Sequence, residues 1–133
     1  MTVSVSTFLR RVLALDAVTS GAMGALLVLA QTPLSSLLGL SSSLLFWAGL
    51  SLLPFAAFVG WLATRELPPR AGVWAVVLIN ALWVVDSFVL LASGWPDLTL
   101  LGKVFVLFQA VAVAVFAELQ FFGLRRSGRL AAA

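Results

Sequence analysis

The sequence predicts an all-α integral membrane protein, a single four-span bundle running up-down-up-down with both termini cytoplasmic. Three observations carry this. The 133 residues are 62% hydrophobic and only 10% charged, against about 25% charged in a soluble domain. The charges are segregated: between Ala17 and Thr64 there are none. Turn and breaker residues then divide the apolar sequence into stretches of about 20 residues, the length that crosses the hydrocarbon core as a helix. Backbone groups in lipid must be satisfied within the segment, and no period-2 alternation supports a barrel.

The first span is read over Val12–Ala30 and the second over Ser43–Ala63. Between them lie Gln31-Thr32-Pro33, Ser35-Ser36, Gly39 and Ser41-Ser42-Ser43, a Leu- and Ser-rich connection expected to lie along the membrane surface as a short interfacial turn. Glu66-Leu67-Pro68-Pro69-Arg70 is a strong breaker. The third span follows over Gly72–Ala92, then a turn at Ser93-Gly94-Trp95-Pro96-Asp97. The fourth runs over Leu100–Phe122, closed by Gly123 and the arginines beyond it. Arg10-Arg11, an apolar stretch and Val28-Leu29-Ala30 also have the outline of a signal peptide with a small-residue cleavage site; Asp16 inside the apolar region argues against that.

Orientation follows from the basic residues. Arg10, Arg11, Arg65, Arg70, Arg125, Arg126 and Arg129 fall on one side of a four-span chain, and only Lys103 on the other. The positive-inside rule makes the first side cytoplasmic. Trp47 and Trp95 then fall at the outer edge and Trp61 and Trp74 at the inner edge, where indoles anchor; Trp83 is near mid-membrane. The use of arginine over lysine, with abundant Ala, Val and Leu, points to a GC-rich bacterium and hence to the bacterial cytoplasmic membrane.

Function classes are narrowed by what is missing. With no Cys, His or Tyr, the chain lacks the ligands of zinc and iron–sulfur sites and the bases of Cys–His or Ser–His catalysis. No cofactor, metal site or catalytic residue is expected. The net charge of +3 sits in membrane flanks rather than in a nucleic-acid groove. The expected partners are the bilayer and a second copy or a larger membrane complex; small-residue faces are expected to carry helix contacts, within the bundle or in part with such a partner. Those faces are Ala17, Gly21 and Ala25 with Ser20 and Gly24 beside them, Ala56 and Gly60, and Ala110 and Ala114 leading to Glu118. Pro54 in span 2 removes one backbone bond and favours a kink.

Polar residues inside spans are costly and face the bundle. They sort into three layers by depth. Asp16 and Glu118 form an inner layer, either paired with Arg11, Arg125 or Arg126, or sharing a proton, because two adjacent carboxylates resist ionising together. These are the candidates for proton or ion coupling. Ser20, Asn80, Trp83 and Gln109 form a middle layer, either an interhelical hydrogen-bond network or a small cavity with amide donors and an indole wall; they are the candidate ligand-binding residues. Asp86 and Lys103 match in height in an outer layer and are expected to form an ion pair. The preferred function is a non-enzymatic bundle, acting as accessory or scaffold or binding a small lipid-soluble ligand at the middle layer. The alternative is a small oligomeric transporter or channel with a titrating carboxylate.

Overall fold

A computed structural model describes residues 7–66, 68–94 and 97–132, with side chains through Arg126. Leu67, Trp95, Pro96 and the Arg129 side chain, used in the sequence reading, lie outside the described residues. The described chain forms helices α1 (Thr7–Leu29), α2 (Gln31–Leu38), α3 (Ser42–Thr64), α4 (Arg70–Ala92) and α5 (Leu100–Ala132). Four of them are long and apolar enough to cross a membrane. Their outer faces carry exposed large apolar side chains such as Leu29, Leu82, Leu100 and Phe108, as expected of a multi-pass membrane protein.

Two boundaries differ from the sequence reading. Helix α1 begins at Thr7, so Arg10 and Arg11 ride on its first turns rather than preceding it. Helix α5 passes through Gly123 and on to Ala132. A lone glycine weakens a helix by about 1 kcal/mol relative to alanine but does not end it. Gly123 is instead a contact point: a β-carbon there would stand 3.1 Å from a Leu9 methyl.

The connection after α1 is a helix rather than a turn. Pro33 is tolerated because it sits in the first turn of α2, where backbone N–H groups have no helical partner. Gly39 ends α2 with φ 73°, the left-handed conformation glycine adopts without penalty.

Side-chain caps fix two helix starts. The Ser41 hydroxyl accepts from the Leu44 N–H at 3.1 Å, and the Thr99 hydroxyl accepts from the Gly102 N–H at 2.9 Å. Thr99 also latches α2 to the start of α5. Its N–H donates to the Leu38 carbonyl at 3.1 Å and its hydroxyl to the Leu37 carbonyl at 2.8 Å. These bonds occupy carbonyls that the end of α2 would otherwise leave unpaired. Gly102 permits the approach, since a β-carbon there would collide with the Leu38 carbonyl.

The long helices associate as two pairs, α1 with α3 most extensively and α4 with α5 next, while α3 and α4 scarcely touch. The α1–α3 seam is built from small residues. Gly60 lies against Ala17 and Gly21 against Ala56, and Gly24 and Gly49 oppose each other so closely that a β-carbon on Gly49 would stand 2.7 Å from the Gly24 carbonyl oxygen. Without a hydrophobic driving force between helices in lipid, such close packing supplies the association. Two apolar clusters join the pairs. One gathers Leu9, Leu13, Val59, Leu62, Val73 and Leu124; the other gathers Leu27, Leu38, Leu40, Leu45 and Val106.

At the arginine-bearing ends, aromatic rings carry the charges. Arg65 stacks 4.9 Å from the Trp61 ring centroid and Arg125 lies 5.6 Å from that of Phe121, favourable cation–π placements. Arg10 donates at 3.4 Å to the carbonyl of Arg65, the residue that closes α3.

The seam generates a graded prediction. Gly49→Ala forces backbone apart and is expected to destabilise the protein by about 1–3 kcal/mol, the usual cost of overpacking. At Gly21 the nearest atom to an added β-carbon is 3.6 Å away, an ordinary contact, so Gly21→Ala should be neutral or stabilising by up to about 1 kcal/mol. Unfolding in mixed micelles compares them; equal effects would contradict this seam.

Candidate functional site

The inward polar residues repeat at helical intervals. Asp16 and Ser20 are one turn apart on α1. Asn80 and Ser87 are two turns apart on α4. Gln109 and Gln120, eleven residues apart, are three turns apart on α5. Each helix therefore turns one polar stripe toward its neighbours. The structure joins the stripes into two separate networks.

The first network is sealed. Asp16, Asn80 and Gln120 are 2, 4 and 0% exposed, so water does not hydrate the carboxylate and protein donors must take its place. Asp16 Oδ2 accepts from Asn80 Nδ2 at 2.8 Å and from Gln120 Nε2 at 2.6 Å. Its Oδ1 accepts from the Ser20 hydroxyl at 2.9 Å. Asn80 Nδ2 gives its other hydrogen to Gln120 Oε1 at 2.9 Å. Both amide orientations are fixed by these partners, since rotating Asn80 alone would set its oxygen against two acceptors. One acid on α1 thus engages α4 and α5 through neutral donors, and among the described residues no arginine reaches it.

The second network lies toward the other end of α4. Trp83 Nε1 donates to Gln109 Oε1 at 2.6 Å. Gln109 Nε2 donates to the Ser87 hydroxyl at 2.9 Å and to the Val106 carbonyl at 2.8 Å. Ser87 in turn donates to the Trp83 carbonyl at 2.8 Å. The Gln109 amide has used both hydrogens and its oxygen, so this group is complete.

Beside the second network an open cleft of about 400 Å³ separates the helix pairs. Met23 and Leu27 of α1, Leu44, Leu45 and Ala48 of α3, and Phe105 of α5 give it apolar walls; Trp83, Asp86, Ser87 and Gln109 supply its polar edge. Its size is that of a small-molecule site.

Several expectations are corrected by this geometry. The expected middle layer divides: Ser20 and Asn80 belong to the Asp16 network, while Trp83 and Gln109 pair with each other at the cleft. Asp16 and Glu118 do not meet. Glu118 is exposed and has no hydrogen bond or ion pair with a described residue, because the inward stripe of α5 passes through Gln120, two residues and about 200° further on. Asp86 and Lys103 form no ion pair among the described residues. Asp86 borders the cleft, and Lys103 is exposed and is not one of its lining residues.

Gln120 and Ser87 are network members that the sequence reading does not single out. The eleven-residue interval from Gln109 was the available signal for Gln120. Among the described residues, no group of three or more His, Cys, Asp or Glu side chains is placed to hold a metal. Comparison with known protein families, curated proteins and solved structures gives no match.

The sealed network is expected to behave as a unit. Asn80→Ala removes two bonds from buried acceptors and should cost about 1–3 kcal/mol. In an Asp16→Ala background it should cost less, leaving a coupling of roughly 0.6–2 kcal/mol in a double-mutant cycle. Glu118→Gln should be neutral. Additive losses at Asp16 and Asn80 would contradict the network.

Proposed function

We propose that this chain is a non-enzymatic four-span membrane protein that binds a small lipid-soluble ligand in the cleft between its helix pairs. In this reading the long helices alternate in direction, with both termini and the α3–α4 connection on the cytoplasmic side. Two arrangements support that direction. Leu9 near the start of α1, Leu62 near the end of α3, Val73 near the start of α4 and Leu124 in α5 meet in one cluster. The arginines Arg10, Arg65, Arg70 and Arg125 flank those same helix segments.

The cleft is the observation that carries the binding reading. The Asp16 network has no room for a ligand, because its donors and acceptors are turned on one another in a sealed layer. The cleft differs in each respect. It is open, it is walled by apolar side chains from both helix pairs, and its polar edge is held rigid by the Trp83–Gln109–Ser87 bonds. A preformed apolar space with a few fixed polar groups is the usual form of a small-molecule site. The alternative remains a small oligomeric transporter or channel with a titrating Asp16 or Glu118; the form of it in which the two share a proton is not supported, because they are not brought together.

Native mass spectrometry of protein released from mild detergent tests the proposal. Ala48 lines the cleft, and Ala48→Trp would fill it. The wild type is expected to retain a small lipid-soluble molecule, and Ala48→Trp to lose it while keeping the same helix content and unfolding midpoint. Equal retention in both proteins, or bare protein in both, would contradict a ligand site in this cleft.

A further inference from the structure

Asp86 stands at the edge of the cleft as its one acid among the described residues. It sits six residues before the end of α4, roughly 9 Å along the helix, within a segment apolar enough to be embedded in lipid. It forms no hydrogen bond or ion pair with a described residue. An acid at such a depth ordinarily pairs with a cation or lines a substrate path. Lys103, the cation expected at the same depth, is not part of the cleft wall, and among the described residues no Lys or Arg lines the cleft. The other polar groups at the edge are spoken for: Trp83 and Gln109 bond each other, and Ser87 bonds Gln109 and the α4 backbone.

We propose that the cleft accepts a lipophilic cation, an ammonium or similar centre on an apolar body, with Asp86 as its counter-ion. The inference rests on the cleft being a binding site and names the class of ligand it takes. Charge complementarity selects the class. The cleft offers one unpaired carboxylate and no lining cation, so a neutral or anionic ligand would leave that carboxylate unmatched. The walls suit the remainder of such a molecule. Trp83 and Phe105 present aromatic surface, which attracts organic cations, and Leu27, Leu45 and Ala48 take the apolar body. The volume of about 400 Å³ fits one compact molecule.

The test is equilibrium binding to the full chain in lipid nanodiscs, with empty nanodiscs as the blank. The probes are tetraphenylphosphonium and the uncharged triphenylmethane. Asp86→Asn keeps the shape of an exposed side chain and removes its charge. It is expected to weaken tetraphenylphosphonium binding by roughly tenfold, the worth of one unlike charge several ångströms away at reduced dielectric, and to leave triphenylmethane binding unchanged. Asp97→Asn, at an exposed acid that is not a cleft-lining residue, should alter neither. Equal binding of the cation to wild type and Asp86→Asn, or an equal loss in Asp97→Asn, would overturn the assignment of Asp86. In that event, triphenylmethane binding that Ala48→Trp abolishes would leave the cleft itself standing as a ligand site. Failure of both probes to bind the wild type would overturn the cleft reading and this inference together.

Discussion

One carboxylate shared among three helices sets the geometry of this protein. In hydrocarbon no water compensates a polar group left unpaired, and a buried acceptor that loses its donor costs more than the bond itself contributes. Asp16 therefore requires Ser20, Asn80 and Gln120 at hydrogen-bond distance together. Apolar side chains above and below, such as Leu13 and Leu27, tolerate a sliding contact; three directed bonds to one carboxylate do not. The network thereby fixes the register of α1 against both α4 and α5.

Its consequence is an uneven bundle. Within the first pair, Gly24 and Gly49 bring α1 and α3 to backbone contact. Between the pairs, Asp16 closes one level and the Thr99 bonds to α2 close another. At the intervening level the partners are long side chains on single helices, and Trp83 and Gln109 spend their hydrogen bonds within the α4–α5 pair. Nothing polar draws α1 or α3 across at that level, and the cleft lies there. A tight seam, a directed clamp and an open cleft are three results of where small, polar and large residues fall along the same helices.

Much of this was legible in the residues. Charge segregation and apolar length gave four helices able to span, and small residues at four-residue steps marked Ala17, Gly21, Ala56 and Gly60 as seam positions. The misses have physical causes. Gln120 was overlooked because Gly123 and the arginines placed it at a membrane edge, whereas α5 continues well past them. The α2 connection reads as a turn in the sequence because of its Ser, Gly and Pro33, yet proline fits a helix's first turn without loss of a backbone bond. Asp86 and Lys103 match in height, but height alone does not say which neighbour stands beside Asp86, six residues and about 120° around α4 from Asn80; that depends on the order of helices around the bundle. The same ambiguity let Glu118, rather than Gln120, stand as the partner of Asp16. Local spacing sets the stripes, and tertiary arrangement decides which stripes meet.

The clamp can be observed directly because the chain contains a single asparagine. With the Asn80 side chain labelled with ¹⁵N and the aspartate carboxyl carbons labelled with ¹³C, solid-state NMR dipolar recoupling in lipid bilayers reads their separation. A hydrogen bond between Asn80 and Asp16 predicts strong dephasing from a nitrogen–carbon distance of roughly 4 Å or less, abolished in Asp16→Ala. Asn80 showing no such short coupling to any aspartate carboxyl carbon would contradict the shared carboxylate, and with it the register of the bundle.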